Sequence, residues 1–115
     1  MPSSTRLPIR FQARAAALLV LLTTSAPGAP PSPARQAELR ALLHQDCGSC
    51  HGMRLTGGLG PALTPQALAG KPAELLALVI RDGRAGTPMP PWAPLLSETD
   101  IAWLVQEMLH PEKEP

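Results

Sequence analysis

Apolar residues return at helical spacing in three separate stretches of the chain. Leu39, Leu42 and Leu43 fall at i, i+3 and i+4. Leu75, Leu76, Val79 and Ile80 repeat the rhythm, and Ile101, Leu104, Val105 and Met108 fall at i, i+3, i+4 and i+7. That period puts each set on one side of an α-helix. Cap and stop residues bound the stretches. Ser32 followed by Pro33 starts the first helix, which the pattern carries to about Asp46. Pro72 and Gly83 bracket the second. Ser97-Glu-Thr-Asp100 is a capping signature for the third, and Pro111 stops it. Thr64-Pro65 begins a short helix that ends near Gly70. No stretch alternates in the manner of a half-buried strand, and no segment repeats. The pattern predicts an all-α fold of three main helices, one or two short ones, and two long irregular loops over 52–64 and 83–96.

Two loops of that length in a chain of 115 residues are uncommon unless they wrap a ligand or carry function. The composition sharpens the point. Tyr is absent, the single Phe is Phe11, and Trp92 and Trp103 supply the remaining aromatic mass. A domain this small normally needs a staple such as disulfides or a metal, yet only Cys47 and Cys50 are present. A large, flat, apolar cofactor would fill such a centre.

The start of the chain reads differently. Arg6, Arg10 and Arg14 precede an apolar run from Ala15 to Leu22, a small-residue exit follows, and no acid occurs before Glu38. This is the pattern of a secretory signal over 1–28, with Ala26 three residues before a cut at Gly28/Ala29. The run is too short to span a bilayer, which takes about 20 residues, so no stable membrane insertion is expected after its removal. A Pro-rich leader over 29–34 then precedes a domain over 35–115. The mature part carries seven Lys/Arg against nine Asp/Glu, a formal net charge of −2. It lacks the basic stripe that nucleic acid requires and offers no strong steering field.

Cys47-Gly48-Ser49-Cys50-His51 is the densest chemistry in the sequence. A C-x-x-C-H run is the attachment site of covalent haem c. Two residues between the thiols at a helix end match the spacing of two porphyrin vinyl groups, and the next His lies under the iron as proximal ligand. Three other readings compete. A thioredoxin-like pair wants a βαβ surround, a zinc site wants a second pair of ligands, and a plain disulfide is compatible with export. The adjacent His, the export signal and the cofactor-sized gap in the core favour one haem, bound through Cys47 and Cys50.

An electron-carrying haem also needs a sixth ligand. Met53 is excluded by reach, because two residues span at most about 7 Å. Met108 belongs to the stripe of the last helix and reads as core. His44 shares the first helix with the proximal segment and reads as solvated. His110 suits the negative end of the last helix dipole. Met89 stands between Pro88 and Pro90-Pro91, in a loop whose prolines fix the backbone, as a weak thioether ligand requires. His51 and Met89 are therefore the expected iron ligands.

These motifs resemble the class I monohaem cytochromes c over about residues 35–110. Gly60-Pro61-Ala62-Leu63 resembles that family's G-P-x-L segment, which implies that the Pro61 carbonyl accepts a hydrogen bond from the His51 ring. Trp103 resembles the family's aromatic on the C-terminal helix, packed where that helix crosses the first, and Trp92 would cover the haem edge. The first helix departs from the family in lacking a small Gly at that crossing, where Ala37 or Ala41 is available. Three segments, Gly52 to Pro61, Leu68 to Glu74 and Gly86 to Trp92, are similar to the small cytochromes c encoded with dissimilatory nitrite reductase in denitrifying bacteria. That resemblance implies a periplasmic, monomeric one-electron carrier, not an enzyme, whose redox partner is nitrite reductase. Electrons would pass at the exposed edge near Cys47 to His51. Two alternatives stay open: an accessory factor in maturation of the reductase's d-type haem, and a haem protein with an open distal site acting as gas sensor or enzyme.

Overall fold

The computed structural model describes residue 3 and residues 28–112. The expected signal over 1–28 lies almost wholly outside those residues. Every regular element among the described residues is helical, and the helices order as α1 (Pro33–Leu42), a π-helical turn (Leu43–Cys47), α2 (Gly48–His51), α3 (Pro65–Leu68), α4 (Ala73–Asp82) and α5 (Glu98–Leu109).

Ser32 caps α1, its hydroxyl accepting from the Arg35 N–H at 3.3 Å, with Pro33 at the first helical position. The helical run does not stop near Asp46 as the apolar pattern suggests. The Gly48 N–H donates to the Leu43 carbonyl, five residues back, and the run continues to His51. The last legible apolar pair is Leu42-Leu43, but nothing breaks the backbone until Gly52 turns it at φ 88. Such widened turns occur mostly at functional segments, and this one leads directly into Cys47.

Thr64 caps α3, accepting from the Ala67 N–H at 3.3 Å. Ser97 and Asp100 form a reciprocal capping box at the start of α5: Asp100 N–H to Ser97 Oγ at 3.1 Å, and Ser97 N–H to Asp100 Oδ2 at 3.2 Å. The core forms where α5 crosses the first helical run. Leu39 and Leu43 meet Ile101, Leu104, Val105 and Met108, with Leu55, Leu68 and Leu96 closing the ends. Each such side chain is worth about 1.5–3 kcal/mol once removed from water.

Two arginines tie the same crossing from outside. Arg35 donates to both carboxylate oxygens of Asp100, at 3.0 and 3.3 Å. Arg40 donates to Glu107 at 2.9 Å while its guanidinium lies 5.1 Å from the Trp103 ring centroid. The small residue expected here is not used: Ala37 and Ala41 are both exposed. Trp103 is half-buried and packs against the core, with its ring under Arg40.

Candidate functional site

Helix α4 has a strong apolar stripe, yet none of its residues is fully buried. Leu75, Leu76, Val79 and Ile80 line a cavity of about 800 Å³ instead. That volume falls in the range of small-molecule and cofactor sites, roughly 300–1,000 Å³. The first helical run supplies a second wall. Leu43, Asp46, Cys47, Cys50 and His51 reach the cavity at i, i+3, i+4, i+7 and i+8, so one face of the run carries them all. Pro61, Leu68, Met89, Trp92, Leu104 and Met108 complete much of the remaining lining.

All six residues singled out from the sequence thus border one space: Cys47, Cys50, His51, Pro61, Met89 and Trp92. Three of the other candidate ligands, Met53, His44 and His110, lie outside that lining. Met53 is 64% exposed, His110 is exposed, and exposed His44 places Nδ1 3.3 Å from the Met53 carbonyl oxygen. Met108 lines the cavity but is 6% exposed and part of the core.

The His51 ring is held by the loop that follows it. Its Nδ1 lies 2.6 Å from the Pro61 carbonyl oxygen. A carbonyl only accepts, so Nδ1 carries a proton, and this contact selects the tautomer whose lone pair is on Nε2. The loop is folded back on the helix end by backbone bonds: Gly57 N–H to the His51 carbonyl and Gly60 N–H to the Cys50 carbonyl, both at 2.8 Å. These satisfy two of the carbonyls that a helix terminus leaves free. Gly60 then passes so close to the imidazole that an added Cβ would sit 2.7 Å from its Cε1 and Nδ1. In the sequence Gly60 stands out only as part of the G-P-x-L segment. Its contact with His51 depends on a fold-back that no local pattern encodes.

The two thiols are free, neither joined in a disulfide. Burial, with a smaller contribution from the nearby Asp46 charge, pushes the Cys47 thiol up to about 11. That direction is opposite to the depressed thiolate of a redox C-x-x-C pair. Among the described residues no group of three or more His, Cys, Asp or Glu converges to hold a bare metal ion. A flat apolar cofactor does fit: the walls are mainly aliphatic, two thiols lie three residues apart on one of them, and a tautomerically fixed imidazole stands beside them. No described helix is long and apolar enough to cross a membrane.

Comparison with known proteins agrees with this geometry. Residues 34–106 match the family described as cytochrome c oxidase, cbb3-type, subunit III. The chain is 64% identical over 85 residues to cytochrome c55X of Pseudomonas aeruginosa, covering 74% of this chain and 71% of that protein. The solved structure of the c-type cytochrome NirC superposes with a TM-score of 0.70 at 63% identity, covering 71% of this chain and 96% of that one. The structure of the dihydro-heme d1 dehydrogenase NirN in complex with DHE superposes with a TM-score of 0.59 at 35% identity, covering 66% of this chain but only 17% of that enzyme.

Proposed function

The chain belongs to the c-type cytochromes of the cbb3-type subunit III family, and from that premise we propose that it is a periplasmic one-electron carrier serving dissimilatory nitrite reduction. The fold is that of a class I cytochrome c, and the family's cofactor is covalent haem c. Bound haem supplies the redox chemistry, its iron alternating between ferrous and ferric. The chain's own residues do the rest. Cys47 and Cys50 would tether the group, His51, its ring oriented by Pro61, would ligate it through Nε2, and Met89 would supply a second ligand. Leu68, Leu76, Val79, Ile80 and Trp92 exclude water from it. A buried Met/His pair raises the reduction potential, because the ferric state carries the extra charge.

The observation that carries this reading is the grouping of Cys47, Cys50, His51 and Met89 around one apolar cavity. If His51 and Met89 both ligate the group, substrate would find no open position on it, and the chain would pass electrons without binding a substrate there. Leu59 is 79% exposed at the rim, close to Cys50 and Pro61, which suits the small, weak docking of redox partners. Rapid mixing of the ferrous protein with oxidised nitrite reductase tests the donor role. Reoxidation whose rate rises with reductase concentration is expected, and a ferrous protein that persists contradicts it.

A second reading has its own support. The likeness to part of a dihydro-heme d1 dehydrogenase favours service in maturation of the d-type haem. Deleting the gene separates the two. A reductase made without its d-type haem supports maturation, and a fully loaded reductase starved of electrons supports donation.

A further inference from the structure

Resting on the reading of Met89 as the sixth ligand, we propose that the Thr87 hydroxyl is the positioning group that holds this ligand at the cavity. Helix α4 ends at Asp82, and Gly83 turns the chain at φ 68. The segment that carries Met89 runs directly over this turn, since a Cβ on Gly83 would lie 2.7 Å from the Met89 carbonyl oxygen. Beyond Met89 the chain is fixed to the helix end. The Trp92 N–H donates to the Ile80 carbonyl at 3.0 Å and the Ala93 N–H to the Arg81 carbonyl at 3.2 Å.

Between these anchors the loop is poor in donors. Pro88, Pro90 and Pro91 have no N–H, so the Met89 N–H is the one backbone donor over 88–91. It donates to Thr87 Oγ1 at 3.3 Å. The same hydroxyl donates to the Arg84 carbonyl at 2.7 Å. The Thr87 N–H donates to that carbonyl as well, and the Arg84 N–H donates to the Met89 carbonyl, both at 3.1 Å. Met89 is therefore pinned through its N–H and its carbonyl, and three of these four bonds involve Thr87. Thr87 is exposed and lies outside the apolar core, so its contacts serve the loop rather than the fold. A thioether binds iron weakly, and a loop that holds it in place shifts the balance toward the ligated state.

The test uses the ferric holoprotein and three readouts: the thioether-to-iron charge-transfer absorption band, the midpoint potential and the dissociation constant for cyanide. Thr87→Val removes both hydroxyl bonds. It should weaken the band, lower the potential and tighten cyanide binding by about tenfold, the scale of two modest hydrogen bonds. Thr87→Ser should restore all three. If Met89→Ala abolishes the band while Thr87→Val behaves as the parent, the positioning role is wrong and the ligand assignment stands. The role also falls if Thr87→Ser fails like Thr87→Val. If Met89→Ala keeps the band, the ligand assignment falls and the positioning role falls with it.

Discussion

The Nδ1–H of His51 donates a hydrogen bond to the Pro61 carbonyl, 2.6 Å away and ten residues further along the chain. One loop thereby sets both the tautomer of the imidazole and its orientation at the cavity, the kind of outer partner that orients metal-bound histidines. Gly60 closes the arrangement by pressing its backbone against the ring. Gly60→Ala should force the imidazole or the loop to move, because the new Cβ would meet ring atoms at 2.7 Å. Overpacking of this kind costs about 1–3 kcal/mol. Thermal unfolding of the holoprotein should show a midpoint lowered by several degrees, together with a shifted haem spectrum. An unchanged midpoint and spectrum would mean that the ring is not confined there.

Met89→Ala should leave the haem covalently bound and open one axial position. The midpoint potential should fall by on the order of 0.1–0.2 V, a fraction of the roughly 0.8 V that axial ligation spans. Carbon monoxide should then bind the ferrous protein, which the parent resists. A potentiometric titration with carbon monoxide difference spectra reads both outcomes.

Cys50→Ala should leave one thioether. The affected thiol borders the cavity beside His51, so the haem would be held at one corner only. Lower holoprotein yield and a lower unfolding midpoint are expected, read by haem absorbance per mole of polypeptide and by thermal melting. A variant that matures and melts as the parent would show that the second tether adds nothing.

Asp100 gives a pH dependence with a definite sign. Its hydrogen bonds with Arg35, aided by the Ser97 N–H and opposed by burial, hold the carboxyl below the usual aspartate range. The folded state therefore resists protonation more than the unfolded chain does. Stability from this group is fully present above the ordinary aspartate value near 3.9 and is lost as pH falls from there through the lowered folded value. Asp100→Asn should cost about 1–2 kcal/mol at neutral pH through loss of the charge-assisted bonds. It should also flatten the acid limb, so that the stability difference from the parent shrinks below pH ~4. Urea midpoints between neutral pH and pH ~2.5 measure this, and a constant difference would remove Asp100 from the acid response.

What could be read from the chain alone divides along sequence distance. Ser32-Pro33, Thr64-Pro65 and Ser97 to Asp100 act within four residues, and each starts a helix where its chemistry says it should. The C-x-x-C-H run is local too, and it carries the cofactor with it. The widened turn at Leu43–Cys47 was not legible, because a five-residue hydrogen-bond step leaves no mark on apolar spacing. Arg35 and Asp100 meet across 65 residues, and nothing near either one names the other. The same holds for the helix crossing, where Ala37 and Ala41 looked suitable by size but face solvent. Helix α4 shows a third limit. Its stripe is clear in the sequence, but only the structure shows that the stripe lines a cavity as well as packing against α5.

A c-type cytochrome of this form requires Cys47 and Cys50 each to hold a porphyrin through sulfur. Intact mass measurement of the purified protein, after acid and organic solvent have stripped any loosely held pigment, tests this most directly. The mass of the polypeptide plus one haem is the predicted result, and a bare polypeptide mass with both thiols free to alkylate would contradict it.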